Sequence, residues 1–139
     1  MIKNILVPID MAHAERGATM INQAREMFGN KGGDITLLHV VQEIPAYVRA
    51  EMPSDLDDKA ITDSKAHLQN LIENYNLPET TKIKVRQGNP FHEILAEAKE
   101  SGTDLIVIAS HQPGITDYLL GSVAGQVVRH SKCSVLVLR

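Results

Sequence analysis

The chain has 139 residues, of which 43% are hydrophobic and 22% charged, and its formal net charge is −3. A chain of this length buries roughly two-thirds of its unfolded surface on folding, so its core needs neither disulfide nor metal. The mildly acidic balance excludes nucleic acid as the expected partner, because phosphate binding calls for a basic surface.

In chain order, short apolar runs alternate with helical patterns. Ile2 and Ile5-Leu6-Val7 form the first run. Residues 13–28 follow, with Ala14, Ala18, Ile21, Ala24, Arg25 and Phe28 at helical spacing and Gly29 as the stop. Residues 34–41, DITLLHVV, are the second run. A long connection spans 42–54 and contains Pro45, Tyr47, Arg49 and Pro53; loops of that length tend to be functional or mobile. A helix is expected over 55–74, with Leu56, Ala60, Ser64, Leu68, Leu71 and Ile72 on one stripe. Residues 82–86, KIKVR, alternate polar with apolar, which marks a half-exposed edge strand. Asn89 then reads as a helix cap with Pro90 at the first helical position, and Ile94, Leu95 and Ala98 face inward. Residues 105–108, LIVI, are the fourth run. A last helix opens near Leu119 or Gly121, with Val123, Val127 and Val128 apolar, and residues 135–138, VLVL, close the chain.

Runs one, two, four and five are nearly continuous in aliphatic residues, as strands read when both faces are covered. Strands alternating with helices require right-handed crossovers and helices on both faces. The expected fold is a doubly wound, three-layer α/β domain over residues 1–139, with five parallel strands and four helices.

In such folds, ligands sit beyond the carboxyl ends of the strands. The residues there are Pro8-Ile9-Asp10, Val40-Val41-Gln42, Gln87-Gly88-Asn89-Pro90 and Ala109-Ser110-His111-Gln112, with Gly121-Ser122 soon after. Asp10 suits ribose hydroxyls or a phosphate-bound metal, and equally a helix cap. Gly88 allows a ligand close to the backbone, or simply a tight turn. Ser110 is a candidate phosphate donor and His111 a polar lining residue; a hydrolase triad is disfavoured, because neighbours on a strand point to opposite faces and no G-x-S-x-G elbow is present. Gly121-Ser122 at a helix start is either a cap or a seat for an anion, and glycine's cost inside a helix favours the seat.

Cys133 is the single cysteine, which excludes an internal disulfide and a cysteine-rich metal site. The six histidines show no i, i+4 zinc pair, so no resident metal is expected, and His39 reads as a hydrogen-bonded core residue. The opening MIKNILVPID is interrupted too early by Pro8 and Asp10 to be a signal peptide, and no apolar run nears the ~20 residues of a membrane span. A cytoplasmic protein without a membrane partner is expected.

Taken together, "NILVPID", "ITLLHVV", "VRQGNP" and "DLIVIASHQPGITDYLLGSVAGQVVRHSKCSVLVLR" resemble the universal stress protein family over essentially the whole chain. The "ASHxPxITxYLLGS" stretch is similar to its F-type single-domain branch. The resemblance implies a HUP-type, Rossmann-like fold with strand order 3-2-1-4-5. It also implies dimerisation through the last strand, while leaving a tetramer open. It further implies ATP, with Mg²⁺ as its usual companion. By position, Pro8, Ile9, Asp10 and Val40 would meet adenine and ribose. Ala109, Ser110, Gln112, Gly121, Ser122 and Val123 would meet the phosphates. The family's ATP pattern is G-x2-G-x9-G-[ST]. Here Gly121-Ser122 matches, but Ala109 and Gln112 replace the first two glycines, and eight residues separate Gln112 from Gly121. The implied function is that of an ATP-binding, stress-response regulator with little or no turnover, acting on protein partners that the sequence does not name. A slow ATP hydrolase and a nucleotide-free dimeric interaction module are the alternatives. No Walker lysine is present, and a receiver domain is disfavoured because the third strand ends in Gln87-Gly88 rather than an aspartate.

Overall fold

The computed structural model describes residues 2–28, 33–110 and 121–139. Its five strands are β1 (Asn4–Pro8), β2 (Asp34–Val41), β3 (Lys82–Gln87), β4 (Leu105–Ala109) and β5 (Ser134–Leu138). They form one parallel sheet in the order β3-β2-β1-β4-β5, as expected. The alternating run at 82–86 is indeed an edge strand. The opposite edge, β5, is apolar from Val135 to Leu138, yet those residues are only half-buried.

Two helices cover each face. Met20, Ile21 and Ala24 of α1 (Ala14–Phe28) join Leu68, Leu71 and Ile72 of α3 (Leu56–Asn74) over one side of the sheet. Ile94 and Ala98 of α4 (Pro90–Glu100) join Ala124 and Val127 of α5 (Ser122–His130) over the other. The central strands β1 and β4 are buried between the layers, with Leu6, Val7, Ile106 and Val107 at most 1% exposed. Their continuous apolar runs follow from that two-sided burial.

Three local features add to the sequence reading. The 42–54 connection contains a fifth helix, α2 (Ala46–Arg49), started by Pro45 and anchored by an ion pair from Arg49 to Asp57, whose other oxygen accepts from Gln87 Nε2 at 3.0 Å. Val128 is 43% exposed; Ala124 and Val127 form the inward face of α5. Ser122 does not cap α5. The cap position belongs to Gly121, and Ser122 is the first helical residue. By contrast, Asn89 caps α4 as expected, its Oδ1 accepting from the His92 N–H at 3.3 Å ahead of Pro90.

Two polar ties fix the frame. Asp104 Oδ2 accepts from the N–H groups of Lys3 and Asn4, each at 2.9 Å, which joins the starts of β1 and β4 and holds the Asp104 carboxyl below its usual range. Arg86 on β3 donates to Glu93, Glu97 and Glu100, three carboxylates on one face of α4, and its contact holds the Glu100 carboxyl low. Glu97 is 6% exposed, so its charge is kept inside only because Arg86 reaches it.

Sheet pairing continues past the strand ends. Ile9 N–H donates to Leu38 O at 2.7 Å, Ser110 N–H to Leu138 O at 2.8 Å, and Gly88 N–H to Val41 O at 2.9 Å. The first residues beyond the strands, where ligands bind in such folds, are therefore still held by the sheet.

Candidate functional site

A cavity of about 720 Å³ opens at the carboxyl ends of β1, β2 and β4, a size typical of small-molecule sites. Pro8, Ile9, Asp10, Val40, Ala109, Ser110, Gly121, Ser122 and Val123 all line it. His111 and Gln112 lie outside the described residues. The structure does not bring Gly88 to the cavity wall. Its φ of +145° is a backbone conformation that suits glycine, and a Cβ there would sit 2.8 Å from Glu93 Oε1. Gly88 thus serves the β3–α4 turn.

Asp10 is a cap residue, as one of its two readings has it. It caps the 3-10 turn Met11–His13, with Oδ1 accepting from Ala12 N–H at 3.0 Å. It also lines the cavity, where its second oxygen remains to accept a hydroxyl. Ser110 has its backbone tied to β5, which sets its side chain at the rim of the same space.

The start of α5 supplies the complementary charge. Among the described residues, no side chain caps it. The first backbone bond inside the helix runs from Gly125 N–H to Gly121 O at 2.8 Å, so the amides at 122–124 have no partner within the helix. Gly121, Ser122 and Val123 line the cavity, and the helix presents the positive end of its dipole there. Unpartnered amides at a helix start form a seat for an oxyanion.

His39 is more than a core histidine. Its Nδ1 lies 3.0 Å from Ile9 O. A carbonyl oxygen can only accept, so Nδ1 carries a proton towards Ile9 O, and Nε2 is the ring nitrogen left for another partner. His39 is half-buried and lines the cavity.

Sequence reasoning missed two helix faces. His13, Arg16, Gly17 and Met20, from the turn and α1, line the cavity at i, i+3, i+4, i+7 spacing. Ala60, Asp63, Ser64 and His67 of α3 do the same. Gly17 lies close to Ile9: a Cβ there would meet Ile9 Cδ1 at 2.3 Å, so that side-chain end would have to turn aside. The available signal was Ser64, a hydroxyl in the middle of the α3 apolar stripe. Among the described residues, no group of three or more His, Cys, Asp or Glu side chains is placed to hold a metal ion. No helix of the described residues is long and apolar enough to cross a membrane.

The comparisons with known proteins agree with this architecture. Universal stress protein G of Escherichia coli O157:H7 is 31% identical over 143 residues, covering 100% of both chains. The solved structure of hypothetical protein MJ0577 superposes with a TM-score of 0.78 at 29% identity, over 99% of this chain and 96% of that one. The universal stress protein UspA from Lactobacillus plantarum gives a TM-score of 0.74 at 26% identity, over 99% and 97% of the two chains. The sequence model of the universal stress protein family matches residues 1–139, and the chain belongs to that family.

Proposed function

We propose that the cavity binds ATP and that the protein is a nucleotide-dependent stress-response regulator with little or no turnover. The observation that carries this reading is the uncapped start of α5, which lines the same cavity as Asp10 and Val40. Adenine and ribose would rest on Pro8, Ile9, Asp10 and Val40. The phosphates would take the amides at 122–124 and the Ser110 hydroxyl, against Ala109 and Gly121. With no described cluster able to cage a metal, Mg²⁺ would arrive on the phosphates and keep several of its waters.

The reading of low turnover rests on the absence of a G-x-x-x-x-G-K-[ST] sequence. The half-buried apolar residues of β5 support a homodimer joined through that strand, since an open apolar edge favours pairing with another chain. A cytoplasmic location, with protein partners that read the nucleotide state, completes the proposal.

Equilibrium binding of a fluorescent ATP analogue, with magnesium present, tests it. Saturable binding is expected. Gly121→Val, which places a branched side chain at the anion seat, should abolish that binding while the circular dichroism and melting curve stay those of a folded chain. Absence of saturable binding to the unaltered protein would overturn the reading.

A further inference from the structure

The cavity spans both faces of the sheet. Leu38, Ile94, Ile108 and Ala124 belong to the core under α4 and α5, whereas Ile9 and Met20 belong to the core under α1 and α3. The nucleotide reading uses the strand ends and the start of α5. It assigns no part of the ligand to the lining residues of α1 and α3.

The arm of the cavity between α1 and α3 is built from unlike elements. His39 alternates with Leu38 along β2, so it projects to the α1–α3 side, as Leu37 does. Arg16 comes from α1, and Asp63 and Ser64 from α3. Arg16 and Asp63 are not paired with each other, and neither they nor Ser64 make a side-chain hydrogen bond or ion pair with any described residue. Asp63 and Ser64 offer acceptor oxygens, and Nε2 of His39 is left over because Nδ1 is committed to Ile9 O. Phosphate oxygens, which only accept, complement Arg16 but do not complement the Asp63 carboxylate. Sugar hydroxyls do, because they donate. The geometry of the sheet adds a second reason. The strand order reverses around β1, and at such a crevice a doubly wound sheet can hold two joined halves of one ligand.

We infer that the α1–α3 arm takes a second sugar joined to the nucleotide through its phosphates. Asp63 and Ser64 accept from its hydroxyls, Nε2 of His39 meets a third, and Arg16 meets the bridging phosphate. This rests on the proposed nucleotide site and specifies its ligand. The second sugar has two chemical sources, a second nucleoside or a nucleotide-linked hexose.

Calorimetric titration of the full chain with ATP, diadenosine tetraphosphate and ADP-glucose separates them. At least one two-sugar ligand should bind tighter than ATP by about tenfold, the scale of one hydrogen bond to a charged group. The ligand that gains identifies the source. Ser64→Phe, which fills the arm, should bring the ratio back to about one. Asp63→Ala, at an exposed position, should lower it as well and guards against misfolding of the bulkier variant. If ATP binds and neither two-sugar ligand gains, or if the gain survives both variants, the inference falls while the ATP site stands. If nothing binds, both fall.

Discussion

Replacing Arg86 with leucine tests how β3 holds α4. The guanidinium lies 2.6 Å from Glu93, 2.9 Å from Glu97 and 2.8 Å from Glu100. These contacts are not equivalent. The Glu100 side chain is 63% exposed, so water screens that pair and little stability comes from it. The side chains of Arg86 and Glu97 are 19% and 8% exposed, so that pair is largely removed from water. Taking away the cation leaves Glu97 desolvated on the same helix face as two further carboxylates. Stranding one member of a buried pair costs about 3–5 kcal/mol, and the partial exposure of Glu93 and Arg86 places this case near 3. In a chain of this size, 1 kcal/mol shifts the melting temperature by about 4 °C, so Tm should fall by about 12 °C at pH 7. The urea midpoint should fall with an unchanged slope, and Arg86→Leu combined with Glu97→Leu should recover part of the loss. The sign of the pH dependence follows from the depressed Glu100 carboxyl. A carboxyl held low stabilises the fold above its unfolded range, and that contribution disappears as pH falls through the folded value. The small Glu100 share of the gap between wild type and variant should therefore be lost in acid. A Tm drop under about 3 °C at pH 7, or a gap that widens on acidification, refutes the reasoning.

Three further outcomes are expected. Gly17→Ala gains about 0.5–1 kcal/mol of helix propensity but brings a methyl to 2.3 Å from Ile9 Cδ1, which must turn aside. Ligand binding should weaken because Ile9 is a cavity wall, while the urea midpoint stays close to that of the wild type; unaltered binding would contradict the close approach. Asp104→Asn should lower the melting temperature at neutral pH and cease to matter once acid has protonated the wild-type carboxyl, because two backbone amides favour the charged form; a difference that persists unchanged in acid argues against that cause. Val137→Lys places a charge on the apolar edge strand and should convert the proposed dimer to monomer in sedimentation velocity; an unaltered sedimentation coefficient counts against pairing through β5.

Much of the frame is legible from local chemistry. The run at 34–41 gives β2 with its observed bounds, because eight residues, six of them aliphatic or β-branched, lie between a glycine pair and a polar loop. Asn89-Pro90 marks the start of α4 because the cap and the fixed proline φ act within one turn. α2 is hidden because four residues are too few to show a periodic stripe. Val128 misleads because hydrophobicity alone cannot say which side of α5 meets the sheet. The candidate site divides the same way. Strand-end residues were readable from the topology rule, since the rule concerns position. The α1 and α3 walls were not, because Arg16, Asp63 and His67 look like ordinary solvated helix residues until tertiary packing opens a cavity beside them. Gly88 drew attention for its position but is explained by its positive φ.

The hydrogen bonds of Ile9 to Leu38 and of Ser110 to Leu138 mean that the rim of the cavity is the ladder itself, carried one residue too far. A rim of that kind has no slack to surrender when a guest arrives, so little ordering entropy is spent on that side. Its amides should exchange with solvent as slowly as those of the central strands, opening only when the whole sheet does. Damage deep in the layers would then reach the guest directly, as a change in where the rim stands.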